Sequence, residues 1–371
     1  MYGAVLRQKT ELVESGDAHV GVLFLTNEGY STMCGHATLA VARLLVDQAG
    51  SESAPIFELA SKRRLEPDLE AKQVKVDLHV PCGLVHVTVP IITQDEGKQW
   101  RTDANRPISY LSVPSYATGI EITVNIPPSF SWPELDGRDS VIVDIAYGGA
   151  FYIIASPADL GFPKSLAQPD LAALDAATRR LKAAFNSSSQ LRKSYLQPSE
   201  HPDLEFLYGT ILTDADLGVP ENGTAGAETS LCFFSNGQVD RSPTGSGVQA
   251  KVALAYAKGT RSSGERWTYH SLVSNWATSR STSSEVNGSL DQLRNDKSAE
   301  STSPAKSRSE GAFVGAAVEE GNVNGTTSVI VRVSGWARYT GASSFVVEDG
   351  DSIGKGFWFE GMGSPRGSGL D

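Results

Sequence analysis

Cysteine is scarce in this 371-residue chain: Cys34, Cys82 and Cys232 are the only three. A small odd number without regular spacing points to a reducing compartment, not to a disulfide framework. No C-x-x-C or His/Cys cluster has metal-site spacing, so no metal is expected. Basic clusters are missing as well. Lys and Arg number 32 against 43 Asp and Glu, a formal charge of −11, which argues against nucleic acid or an anionic membrane as the main partner. There is no uninterrupted apolar run of about 18 residues and no charged-then-apolar leader after Met1. Neither a membrane span nor secretion is indicated, and the cytosol is the expected compartment. A glycine-rich phosphate loop with lysine is also absent. The adjacent glycines of "YGGAFY" are adequately read as a β-bulge or a close strand crossing.

What the chain has in quantity is strand pattern. Hydrophobic residues make up 40% and charged residues 20%, as in a soluble globular protein long enough for two domains. Runs rich in β-branched residues predict strands at 20–28, 74–80, 83–92, 120–126, 140–147, 151–156, 229–235, 312–320, 328–339 and 344–349. Residues 169–186 read as a helix. The Ser/Thr-rich, apolar-poor stretch 274–310 cannot offset its ordering entropy and is expected to be a disordered surface insertion. Residues 93–107 and the tail after Phe359 read as loops.

Two further helices share one plan. "STMCGHATLAVARLLVDQAG" (31–50) laid over "DRSPTGSGVQAKVALAYAKG" (240–259) sets Cys34-Gly35-His36 on Thr244-Gly245-Ser246. From Ala37 to Val46 only Thr38 and Arg43 are polar, and from Val248 to Ala257 only Gln249 and Lys251. Helices so apolar are buried on most sides. The economical architecture is a sheet curled around a central helix, made twice: two similar α+β domains facing each other. The expected bounds are 1–138, joined by a strand at 340–360, and 139–339, which carries the insertion.

The first free N–H groups of a helix attract anions. A cysteine there is expected to have its thiolate stabilised, as base or nucleophile, while the bland reading of Cys34 is a small buried residue. Cys82 and Cys232 read as core. Asp240 and "PTGSG" read alone as an N-cap and turn. His36 orients the thiol, binds substrate, or is simply polar at a helix start. Two such starts of matching design would form a cleft with convergent donors for a small carboxylate, with facing positions suited to cofactor-free proton transfer.

"MCGH" and "DRSPTGSG" resemble the two signature motifs of the proline racemase superfamily, which has the diaminopimelate-epimerase-like fold. "MYGAVL" (1–6), "VPCGLVHVTV" (80–89), "LSVPSYA" (111–117), "VDIAYGGAFY" (143–152) and "VSGWARYTG" (333–341) also fit, so the resemblance spans almost the whole chain outside the serine-rich stretch. It implies an active site in the cleft between two domains, no metal or organic cofactor, a small imino-acid substrate and a homodimer. Racemases and epimerases of the family carry cysteine in both motifs; the branch with threonine in the second dehydrates trans-3-hydroxy-L-proline. By that resemblance Cys34 is the base, Thr244 takes the place of the second acid, and Gly35, His36, Asp240, Gly245 and Ser246 line the substrate site. A racemase or epimerase, or a non-catalytic imino-acid binder, are the alternatives. Family members carry a leading strand and helix before the "MYGA" match, so the first domain is expected to lack that segment.

Overall fold

The computed structural model describes residues 3–51, 59, 64–94, 97–164, 166–197, 201–286, 311–343, 348 and 350; from 280 to 286 it describes the backbone alone. The first elements are β1 (Gly3–Arg7), α1 (Glu11–Ser15), β2 (Val20–Thr26), β3 (Gly29–Ser31) and α2 (Gly35–Ala49). β4 (Pro67–Asp68), β5 (Gln73–Val80), β6 (Gly83–Gln94), β7 (Gln99–Thr102) and β8 (Ile108–Leu111) follow. Next come β9 (Ser115–Asn125), β10 (Ser140–Tyr147), β11 (Phe151–Ala155), α3 (Leu171–Ser187), α4 (Ser189–Tyr195) and β12 (Leu207–Asp214). The rest are β13 (Gly226–Phe234), β14 (Gln238–Val239), α5 (Gly245–Ala257), β15 (Trp267–Ser271), α6 (Leu272–Val286), β16 (Phe313–Val323) and β17 (Thr326–Gly335).

The strands form two curled arrays that share β17. In the first, β1, β2, β5, β6, β8 and β17 are paired in that order. Val74, Val76, Leu78 and Val80 of β5 alternate inward, as do Val85, Val87, Val89 and Ile91 of β6, the period of two that buries one face of a strand. That face meets α2, whose Leu39, Ala42, Leu45 and Val46 are buried in the same core.

The second array closes. From β9 the pairing runs through β10, β11, β12, β13, β15, β16 and β17, and β17 pairs back to β9. A closed ring removes the exposed strand edges that would invite other chains. Helix α5 lies inside it, buried from Gly245 to Ala255 on every side. It packs on β9, β10, β11, β16 and β17, and Lys251 reaches Glu228 on β13 (3.1 Å) and the Tyr269 ring on β15. This is the α+β, diaminopimelate-epimerase-like architecture of two sheets curled around two helices.

Met1–Ala337 group as one compact unit and Arg338–Asp371 as another. A division of the first unit at residue 138 remains a proposal, and β9, on its N-terminal side, completes the second ring. The strand expected at 340–360 falls mostly outside the described residues.

Two expectations are corrected. Residues 274–286 belong to α6 and not to a disordered insertion; 287–310 lie outside the described residues. The helix starts with a reciprocal cap, Ser271 N donating to Ser274 Oγ (2.9 Å) and Ser274 N to Ser271 Oγ (3.2 Å). Thr278 then turns its hydroxyl back to Ser274 O (2.9 Å), so Ser274 and Thr278 find partners at the start of the helix. The expected loop 93–107 contains β7, which pairs with β6. It is held by α2: Thr102 N donates to Asp47 Oδ1 (2.6 Å) and Trp100 N to Gly50 O (3.3 Å), contacts no local pattern reveals.

Candidate active site

The starts of α2 and α5 meet. Cys34 is the N-cap of α2, in extended backbone at φ −144°. Thr244 is the N-cap of α5, at φ 64°, a left-handed value that a β-branched side chain adopts only under constraint. Here the constraint is a pair of hydrogen bonds: Thr244 N donates to Ser242 Oγ (3.1 Å) and Thr244 Oγ1 donates to Asp240 Oδ2 (3.0 Å). Neither N-cap side chain caps its own helix.

Gly35 and Gly245 let the two backbones touch. A Cβ on Gly35 would stand 2.7 Å from Gly245 Cα, and one on Gly245 would stand 2.5 Å from Gly35 Cα. Both positions would also fall within 2.7 Å of Tyr110 Oη. Tyr110, on β8, is buried and accepts a hydrogen bond from Gln249 Nε2 of α5 (3.0 Å). Glycine at both places therefore sets how close the two helix starts come.

A line of side chains crosses the junction. Cys34 Sγ lies 3.6 Å from His36 Nε2 and 3.8 Å from Nδ1. His36 Nδ1 is 3.2 Å from Ser242 Oγ. Ser242 donates to Asp240 Oδ1 from both Oγ (3.0 Å) and N (2.9 Å), while the other carboxylate oxygen holds Thr244. Asp240 thus organises the turn before α5 in the manner of an Asx turn.

Burial dominates the electrostatics of Cys34. Only 4% of the residue is exposed, and loss of water pushes its thiol well above the ordinary range. The N–H of Ala37 opposes this, Asp240 adds to the rise, and the N–H of His36 pulls it down again. The expected thiolate stabilisation is corrected accordingly: the helix N–H groups act, but desolvation outweighs them. Burial also lowers His36, against the pull of Asp240, which favours the neutral ring.

All seven residues singled out from the sequence are gathered here. Ser246 differs from the rest in that its hydroxyl is engaged by Tyr152 Oη (2.7 Å). Cys82 and Cys232 are buried in the core. Cys232 nonetheless neighbours the site: burial, then Asp240, push its thiol up to about 12, and the Thr244 side chain pulls it back down in part. The sequence reading gave no role to Ser242 or Tyr110. Ser242 stands inside the "DRSPTGSG" motif, two residues from Asp240, which is a local signal. Tyr110 reaches the site through strand pairing alone. Among the described residues no group of three or more His, Cys, Asp or Glu is arranged for a metal ion. No described helix is long and apolar enough to cross a membrane.

The model of the proline racemase family matches residues 1–293. The chain belongs to that family. Among its racemase-family relatives, trans-L-3-hydroxyproline dehydratase of Bos taurus is 38% identical over 362 residues, covering 96% of this chain and 78% of the relative. Trans-3-hydroxy-L-proline dehydratase of Homo sapiens is 36% identical over 359 residues, with the same two coverages. A solved hydroxyproline epimerase from Agrobacterium vitis, with bound trans-4-OH-L-proline, matches at TM-score 0.56 and 18% identity, covering 92% of this chain and 75% of that one. At that identity the likeness bears on the fold alone.

Proposed function

We propose that the protein is a hydro-lyase that removes water from trans-3-hydroxy-L-proline, giving a pyrroline-2-carboxylate. One observation carries the reading: of two helix starts in backbone contact, one presents a thiol, Cys34, and the other an alcohol, Thr244. The names of the two mammalian relatives support it.

Returning a proton to the second face of Cα requires an acid of suitable pKa on that face. An alcohol is far too weak, and Thr244 already donates its proton to Asp240. When Cys34, as thiolate, takes the Cα proton, the electron pair left on carbon expels the β-hydroxyl instead. The enamine formed tautomerises to a cyclic imine. The substrate carboxylate sits at the N–H groups that open α2 and α5, whose fixed dipoles favour charge developing beside it. Asp240 holds the ring nitrogen, and Gly35, His36, Gly245 and Ser246 line the remainder. No step requires a cofactor.

The test is to incubate purified protein with trans-3-hydroxy-L-proline and trap the imine with an aromatic aminoaldehyde. Cys34→Ser should abolish product while leaving the melting temperature in place, because serine matches cysteine in size but not in acidity. A parent protein that yields only the C2 epimer, with no imine, would place it with the epimerases and overturn the reading.

A further inference from the structure

The hydrogen bonds around Ser242 bear on the protonation of its neighbour, His36. A serine hydroxyl has one proton and two lone pairs. The Ser242 proton goes to Asp240 Oδ1 at 3.0 Å. One lone pair accepts from Thr244 N at 3.1 Å. The remaining lone pair faces His36 Nδ1 at 3.2 Å, an arrangement that a ring protonated at Nδ1 completes. In a neutral ring Nε2 is then an acceptor, and Cys34 Sγ stands 3.6 Å from it and 3.8 Å from Nδ1. We propose that Ser242 is a positioning residue that holds His36 as the Nδ1–H tautomer, so that Nε2 takes the Cys34 thiol proton and hands it to the departing hydroxyl.

The arrangement answers a difficulty that the site itself poses. A buried thiol is a poor base until something within reach accepts its proton, and His36 is the side chain placed to do so. The order Cys34, His36, Ser242, Asp240 has the logic of a nucleophile, its base and the group that orients the base. Asp240, on a different segment from α2, thereby fixes the tautomer of a residue on α2 through one hydroxyl.

The second half of the proposal rests on the dehydratase reading and on the stereochemistry of that substrate. In the trans isomer the carboxylate and the hydroxyl are on opposite ring faces, so the Cα hydrogen and the hydroxyl share a face. Base and acid are then needed on one side of the ring, and Cys34 and His36 both come from the start of α2. The protons balance. Cys34–SH and neutral His36 become thiolate and imidazolium; the thiolate takes the Cα proton as the C3–O bond breaks. The hydroxide takes the Nε2 proton and leaves as water, and the enzyme ends as it began.

Long-range ¹H–¹⁵N correlation on the parent protein reads the tautomer directly, with the His36 signals assigned by their loss in His36→Gln. Nδ1 protonated and Nε2 bare near pH 7.5 is the expected result; the opposite tautomer overturns the proposal, and no altered Ser242 is involved. Ser242→Ala should slow alkylation of Cys34 by iodoacetamide, followed by peptide mass. It should also lower kcat about 10²-fold with little change in KM, and Ser242→Thr, which keeps the hydroxyl, should restore both. Parent-like alkylation and kcat in a folded Ser242→Ala protein would overturn the proposal. The parent should also leave cis-3-hydroxy-L-proline, whose hydroxyl is on the other face, unreacted; equal turnover of both isomers would remove His36 as the acid. The tautomer and the alkylation rate are measured without turnover. A parent that shows both as expected but forms no imine would refute the dehydratase reading and proton delivery to the hydroxyl, leaving the Cys34–His36 assignment standing.

Discussion

Cys34 and Thr244 occupy equivalent places and differ in what their side chains do. Cys34 faces His36, whereas Thr244 is tied into the Asp240 turn and neighbours Cys232. Placing a thiol at position 244 would break the bond to Asp240 and put a titratable group at the start of α5. Thr244→Cys is therefore expected to gain solvent deuterium exchange at Cα of proline or 4-hydroxyproline, read by mass spectrometry, while losing dehydration. A parent that already exchanges these substrates efficiently would mean that position 244 does not decide the outcome. Only part of this was legible in the sequence. The motif pair picked out Cys34, His36, Asp240 and Thr244, because their spacing within each motif is local. The rise of the Cys34 thiol was not legible, since desolvation is set by everything that surrounds a side chain.

At the scale of the element, α2 and α5 look alike in sequence but are buried differently. Ala40 and Ala49 of α2 are exposed, while α5 hides every residue from Gly245 to Ala255. The contact between their first turns depends on two missing side chains. Gly245→Ala would press a methyl against Gly35 Cα and Tyr110 Oη, both buried and with little room to move. An overpacking cost of roughly 1–3 kcal/mol is expected, measured by urea unfolding. A clear fall in kcat should accompany it, because the two helix starts would be forced apart. Unchanged stability and rate would show that the junction is soft. Removal of the α6 cap makes a milder test: Ser274→Ala takes away the acceptor of Ser271 N and should cost about 1 kcal/mol, seen in the same unfolding curves and without effect on KM.

Across the whole molecule, the closed ring carries a charge cluster in its interior. Glu228 on β13 meets Lys251 of α5 at 3.1 Å and Arg261, which follows α5, at closer range. Burial pushes against ionisation of Glu228, but Lys251 and Arg261 outweigh it and hold the carboxyl below its ordinary value. A depressed folded pKa adds stability that is present above the unfolded value, about 4.3 for glutamate, and that is lost as pH falls through the folded value. Acid unfolding of the parent should accordingly steepen below about pH 4. Glu228→Leu leaves the buried Lys251 and the half-buried Arg261 without their carboxylate and is expected to cost about 3–5 kcal/mol while flattening that acid limb. None of the three is among the residues gathered at the two helix starts, so KM should hold at a temperature where the variant is folded. A variant as stable as the parent would show that Lys251 and Arg261 find other partners.

The sequence by itself determined the elements whose cause is local. Alternating valines made β5 and β6, apolar runs made α2 and α5 central helices, and two short motifs marked where each helix begins. It also determined the chemistry on offer, a thiol at one start and an alcohol at the other. Tertiary structure decided the rest. It made β7 a strand through contacts with α2, closed the second ring by pairing β17 with β9, and brought Tyr110 from β8 to the junction. It decided, too, that Ser242 stands between His36 and Asp240, and that Cys34 is buried. These are properties of groups far apart in the chain, and burial and hydrogen-bond geometry between them exist only once the chain has folded.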